Sequence, residues 1–256
     1  MLNIFGTSAF EDNYIWFVQP SDSNAVLIID PGDADPVLAM IQERRLQPVA
    51  ILITHGCHDH VDGISRLLED YDIPVYGPRN EFIPNISYPL GRSDDVNILN
   101  FPPISVLDIP GHTKGHIGFV IEGNLFCGDA LFAAGCGRLH SGPAETLFQS
   151  LRTISQLADD TKIYCAHEYT QSNLRFAIEV EPDNVAIQQR IIDTDELRAK
   201  GLPSIPSFLG LERKTNPFLR CEFESVKQSV EQQARFVHAT PAQVFKSLRL
   251  WKDNFQ

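Results

Sequence analysis

The sequence contains no Cys-x-x-Cys pair, no Gly-x-Ser-x-Gly turn, no internal repeat and no apolar run of bilayer-spanning length. These absences argue against a solenoid, a serine-elbow hydrolase and a membrane-spanning helix, and no membrane partner is expected. Cysteine is sparse and odd in number: Cys57, Cys127, Cys136, Cys165 and Cys221 are widely spaced, which fits a reducing compartment better than a disulfide framework. The first residues carry no basic stretch followed by an apolar one, so a cytoplasmic protein is expected. Basic residues are also scarce, 21 Lys and Arg against 33 Asp and Glu. The resulting formal charge of −12 argues against a nucleic-acid partner, because that affinity rests on neutralising phosphates.

The deficit of positive charge is uneven. Residues 1–171 hold 9 Lys and Arg against 22 Asp and Glu, whereas residues 172–256 hold 12 against 11. Hydropathy patterning changes at the same place. The first part reads as short strands: Ile15 to Val18, Ala25 to Ile29, the unbroken apolar run Val49 to Ile53, Val75-Tyr76, Ile104 to Leu107, a pair at Phe119 to Ile121 and Leu125 to Cys127 joined at Gly123-Asn124, and Lys162 to Cys165. An unbroken apolar run implies a strand covered on both faces. Helical spacing is seen at Val61, Ile64, Leu68 and Tyr71, and again at Leu147, Leu151, Ile154 and Leu157. From about Asn173 the pattern is wholly helical, ending in a stripe of Val244, Leu248, Trp251 and Phe255. The expectation is an α/β catalytic domain over 1–171 and an all-helical domain over 172–256.

What the sequence does have is histidine at strand ends. His55, His58 and His60 follow the Ile53 run, His112 and His116 follow Ile109, and His167 follows Cys165. Asp59 lies within the first cluster, and Asp129 follows the strand ending at Cys127. A lone histidine there is an ordinary capping group. Imidazole, thiol and carboxylate delivered together from several strand ends suit a divalent transition metal such as zinc, manganese or iron.

His55-x-x-His58-Asp59-His60, Pro110-Gly111-His112-Thr113, Gly128-Asp129 and Ala166-His167-Glu168-Tyr169 resemble the ordered motifs of the metallo-β-lactamase superfamily. Within it the chain is similar to the glyoxalase II (hydroxyacylglutathione hydrolase) family. The likeness extends through Phe10 to Trp16, Gly135 to Arg138, Asn216 to Arg220 and Lys252 to Phe255, so it includes a helical tail that most of the superfamily lacks. The resemblance implies an αββα sandwich with a C-terminal helical domain. It also implies a monomer that binds two divalent metals, zinc first with iron or manganese as alternatives. One metal would be held by His55, residue 57 and His112, the other by Asp59, His60 and His167, with Asp129 bridging; Asp59 and Asp129 would be the catalytic carboxylates. Arg138, His140, Tyr169, Arg249 and Lys252 match the positions that bind glutathione, the implied substrate being a glutathione thioester. The implied reaction is hydrolysis of S-(2-hydroxyacyl)glutathione, which removes methylglyoxal.

The sequence departs from the family in two places. The pattern THxHxDH has histidine where this chain has Cys57, with His58 at the variable position beside it. Cys57 as a thiolate zinc ligand comes first among the readings, a three-coordinate weakened site second, and His58 bending inward third. In the middle loop, Arg138 and His140 stand where the family commonly carries Lys and Tyr. Two alternatives to the thioesterase remain: a persulfide dioxygenase-like or other enzyme on the same fold, the dioxygenase working at a single iron that spares Asp59, His60 and His167 as ligands, and a metal-binding scaffold whose chemistry Cys57 has abolished.

Overall fold

The computed structural model describes residues 1–92, 94–235 and 240–255. The chain forms two compact units, one of Met1–Asp108 with Thr113–Gly128 and one of Ile109–His112 with Asp129–Gln256. No helix among the described residues is long and apolar enough to cross a membrane.

In the first unit, six strands lie side by side in chain order: Leu2–Ala9, Asn13–Pro20, Ala25–Ile29, Gln47–Leu52, Val75–Pro78 and Tyr88–Leu90. The first three pair antiparallel and the rest parallel. Parallel neighbours need a crossover, and the helix Ala34–Arg44 supplies the first. That helix starts at Asp33, whose side chain accepts the Asp35 N–H, and stops at Arg45 in the left-handed region. Val37 and Ile41, one helical turn apart, join Ile28, Ile51 and Ile53 in the core. Ala50 and Leu52 are fully buried but outside this cluster, so the Gln47–Leu52 strand is covered on both faces as its apolar run implies.

The helical stretch expected after this strand is broken in two, His58–Val61 and Ile64–Asp70. Between them Gly63 donates its N–H to the Pro31 carbonyl at 3.0 Å, and a Cβ on Gly63 would fall 2.4 Å from that oxygen. A Cβ on Gly32 would fall 1.8 Å from the Asp59 carbonyl. These two glycines let the Asp30–Gly32 turn press against the histidine-bearing loop.

Four more strands, Asp95–Val96, Ile104–Asp108, Ile117–Ile121 and Asn124–Gly128, pair antiparallel in the same unit. The last hairpin turns at Glu122-Gly123, one residue earlier than the sequence signal, because Asn124 already pairs with Ile121. Both turn residues have positive φ, 45° and 74°, as a two-residue hairpin of this hand requires. The strand Leu2–Ala9 has no clear sequence pattern; Phe5 stacks on Phe17, and the Trp16 ring lies over Gly6, where a Cβ would meet it at 2.8 Å.

The second unit is mainly helical: Ala144–Ile154, Thr170–Val180, Val185–Ala199, Leu209–Thr215, Glu224–Ala234 and Pro241–Asp253. The helical reading from Asn173 onward is interrupted once, where Ser207–Phe208 pairs antiparallel with Lys162–Ile163. Two residues carry too little pattern to announce a strand. In the last helix, Val244, Phe245 and Leu248 are fully buried, and Thr240 with Gln243 forms a capping box.

Candidate metal centre

In the first unit, the chain leaves the Gln47–Leu52 strand and delivers Thr54, His55 and, one short helix later, His60; His55 and His60 are almost fully buried. Asp30 organises them. Its Oδ1 accepts the Thr54 N–H at 2.7 Å, and its Oδ2 accepts the Thr54 hydroxyl at 2.7 Å and lies 3.0 Å from His60 Nδ1. The single Thr54 hydroxyl proton is thereby committed. Thr54 Oγ1, 3.0 Å from His55 Nδ1, must accept a proton from that ring. His55 is thus held as the Nδ1–H tautomer with the lone pair at Nε2, the pattern of a ligating histidine steered by its surroundings.

Cys57 is half-buried ahead of the helix His58–Val61, and its sulfur lies within 4.8 Å of a His55 ring nitrogen. His58, the first residue of that helix, is exposed. Asp59 is half-buried and held at Oδ2 by the Asn13 amide at 2.9 Å. Glu81 accepts the N–H groups of Gly56 at 2.6 Å and Gly115 at 2.8 Å, tying the loop of His55 to that of His116. The buried His116 ring stacks on His55 at 4.5 Å. Asp30, Glu81 and the stacking role of His116 escaped the sequence reading. Asp30 carried the signal that singled out Asp129, an acid directly after an apolar strand.

In the second unit, one carboxylate faces two imidazoles. Asp129 Oδ2 lies 3.5 Å from His112 Nε2, and its Oδ1 lies 3.3 Å from His167 Nε2. His112 Nδ1, 2.9 Å from the Arg138 carbonyl, donates to it, which again leaves the lone pair at Nε2. Tyr169 stacks on the His167 ring at 4.8 Å, and Phe132 meets both rings edge-on.

The same unit contains a cavity of about 440 Å³ lined by Arg138, His140, Tyr169, Arg249 and Lys252 together with His112 and Asp129. All five residues singled out for glutathione therefore reach one cavity. Their states differ. Arg138 and His140 are exposed, with the His140 ring edge-on to His112 at 4.7 Å. Arg249 is buried, donating to the Cys136 carbonyl at 2.8 Å and to Asp253 Oδ1 at 2.9 and 3.1 Å. Lys252 donates to the Ser172 carbonyl at 3.0 Å; burial, and then the neighbouring charges of Arg249, Arg175 and Arg138, lower its pKa to about 8. Burial pushes the Cys136 thiol up to about 11, so it remains a neutral wall of the cavity.

Imidazole nitrogens fixed at Nε2, acidic oxygens and a thiol form a donor set that fits a divalent transition metal. Asp30→Asn keeps the shape but puts an amide where the Thr54 N–H and hydroxyl both donate, beside the His60 ring. Its expected effect is a loss of metal affinity of about ten- to a hundredfold, measured by chelator competition.

A family model described as metallo-beta-lactamase superfamily matches residues 10–86 and 82–167, and one described as hydroxyacylglutathione hydrolase C-terminus matches residues 168–255. The hydroxyacylglutathione hydrolase of Nitrosomonas europaea is 46% identical over 260 residues, covering 100% of this chain and 97% of that protein. A solved B3 metallo-β-lactamase has a TM-score of 0.63 at 22% identity, covering 86% of this chain and 99% of that chain, a likeness of fold alone. A protein crystallised in a di-iron-bound form has a TM-score of 0.60 at 26% identity, covering 84% of this chain and 100% of that one. The fold class expected from the motifs, a metallo-β-lactamase αββα sandwich with a helical C-terminal domain, is the one these comparisons bear out. Full-length identity of this order, with a matching catalytic segment and a matching tail, means that the chain belongs to the hydroxyacylglutathione hydrolase family of the metallo-β-lactamase superfamily.

Proposed function

We propose that this chain is a cytoplasmic, monomeric, metal-dependent thioesterase that hydrolyses S-(2-hydroxyacyl)glutathione, such as the lactoyl thioester, to glutathione and a 2-hydroxy acid. The observation that carries this reading is the cavity of the second unit, where Asp129 and His112 share walls with Arg138, Arg249 and Lys252. A carboxylate facing two imidazoles and cations suited to a carboxylate-bearing ligand line the same space. The name of the Nitrosomonas europaea relative supports it.

By the motif order, His55, Cys57 and His112 would hold one ion and Asp59, His60 and His167 a second, with Asp129 available to both. Zinc is the first candidate, because a thiolate favours a soft ion, with iron or manganese next. Functionally the chain divides at 171/172, with 1–171 carrying the chemistry and 172–256 holding glutathione. When bound, the metals supply Lewis acidity, which lowers the pKa of water and stabilises an oxyanion. Asp59, steadied at Oδ2 by Asn13, takes the proton of the attacking water. Arg138 and Lys252 hold the anionic ends of glutathione, and the Tyr169 ring packs along its backbone. The leaving thiolate belongs to a thiol of pKa about 8.5, so it departs with little help from an acid.

The test is turnover of lactoylglutathione by the metal-replete protein. Oxygen consumption with glutathione persulfide, without thioester hydrolysis, would replace this reading with the dioxygenase.

Lys252 gives the reaction a pH signature. Below a pH of about 8 its ammonium is charged and holds an anion; as pH rises through that value the charge is lost. The dissociation constant of S-methylglutathione, measured by calorimetry, should rise across this range, and Lys252→Arg should abolish the rise. The folded-state pKa lies below the ordinary 10.5, so the unfolded chain binds more protons between about 8 and 10.5, and this group makes the fold more stable as pH rises through that window.

A further inference from the structure

The segment from Asp129 to Gly137 is buried, yet it contains only a hairpin of two-residue strands, Leu131–Phe132 and Gly135–Cys136, turning at Ala134 with φ 56°. Buried backbone groups need partners, and so short a hairpin provides few of its own. Side chains of the surrounding helices provide the rest. Asn173 donates to the Ala133 carbonyl at 3.0 Å, Glu212 Oε2 accepts the Ala134 N–H at 2.8 Å, and the Asn216 amide donates to the carbonyls of Phe132 at 3.2 Å and Gly135 at 2.9 Å. Arg249 closes the far end on the Cys136 carbonyl. Glu212 and Asn216 are fully buried, and neither lines the cavity. Glu212 is held in turn by Arg190 at 2.5 Å and by Asn216 at 3.1 Å, and Arg190 is anchored on Ser207 and Thr215.

This segment has Asp129 at one end and Arg138 just beyond the other, and the two ends pack tightly: a Cβ on Gly137 would fall 2.0 Å from the Asp129 carbonyl. Phe132, in its middle, touches the rings of His167 and Tyr169. Loss of the grip would let the Asp129 carboxylate drift from its place between His112 and His167. We propose that Glu212 and Asn216 are positioning residues, so that the helical part of the chain sets the geometry of the metal-facing carboxylate as well as holding the ligand. The inference rests on the two-metal hydrolase reading.

The experiment compares Asn216→Ala with Asn184→Ala, each shown to be folded by circular dichroism at the assay temperature. Asn184 caps the helix Val185–Ala199 and donates to the Lys214 carbonyl, but makes no hydrogen bond to residues 129–137. It therefore reports the cost of losing an asparagine that ties two helices of the same unit without holding the hairpin. The readouts are zinc affinity by chelator competition, and kcat and KM separately. Asn216→Ala should lower zinc affinity about tenfold or more and reduce kcat with little change in KM, while Asn184→Ala leaves both near wild type. If Asn216→Ala does not fold, Asn173→Ser, which releases the Ala133 carbonyl but also lines the cavity, is read on zinc affinity alone and should give a smaller loss there. Wild-type zinc affinity and kcat in the folded variant, or equal losses in Asn184→Ala, would overturn the proposal. Zinc affinity needs no substrate, so a chain that fails on lactoylglutathione but loses zinc in Asn216→Ala keeps the positioning role and loses only the assigned reaction.

Discussion

Replacing Asp129 by alanine is expected to lower kcat for lactoylglutathione by roughly a thousandfold or more, since metal assistance contributes several kcal/mol and each 1.36 kcal/mol is a decade in rate. The expectation follows from geometry within one unit: the two oxygens of Asp129 stand 3.5 and 3.3 Å from the Nε2 atoms of His112 and His167. Alanine removes both oxygens, while the clamp on residues 132–136 is untouched, so the loss should appear without a collapse of the fold. Metal content should fall with activity. Asp129→Asn, which keeps one acceptor oxygen, should fall between. A variant with kcat within tenfold of wild type would remove Asp129 from the centre, and with it the bridging role implied by the motifs.

The second large effect concerns Cys57. Cobalt(II) in the wild type should give an intense near-ultraviolet sulfur-to-cobalt charge-transfer band, absent from Cys57→Ser and Cys57→His. The sulfur lies within 4.8 Å of a His55 nitrogen, whereas His58 is exposed at the start of its helix, which favours the thiol over the neighbouring imidazole as the substitute donor. A zinc–sulfur bond is about 2.3 Å against about 2.0 Å to nitrogen, so the longer bond partly offsets the shorter side chain. Cys57→Ser should weaken metal binding by about a hundredfold or more, at least the cost of losing an outer partner. Cys57→His restores the family's THxHxDH pattern and removes a negative charge, so it should bind metal without the sulfur band and show higher activity with manganese or iron. A wild type that holds metal but hydrolyses no thioester, while Cys57→His does, would make the native chain a scaffold. A cobalt protein without the band would take Cys57 out of the ligand set.

The sequence alone determined the family, the division into an α/β part and a helical part, and the candidates for the metal-facing side chains. His55, Asp59, His60, His112, Asp129 and His167 could be named because metal-binding side chains cluster at strand ends, and that is a local pattern. The glutathione set could be named by resemblance, but that all five residues line one cavity is a fact of packing. The tertiary structure decided what holds these groups in place. Asp30 fixes the tautomer of His55 through Thr54, Glu81 ties two loops by their N–H groups, and Glu212 with Asn216 carries the hairpin beyond Asp129. Asp30 follows an apolar strand and Asn216 opens a quoted motif, but neither position says in sequence what the side chain will hold. Each acts on a group that folding brings near from a distant part of the chain, and a buried acid or amide is identified by the backbone groups it satisfies, which exist as partners only after the chain has folded.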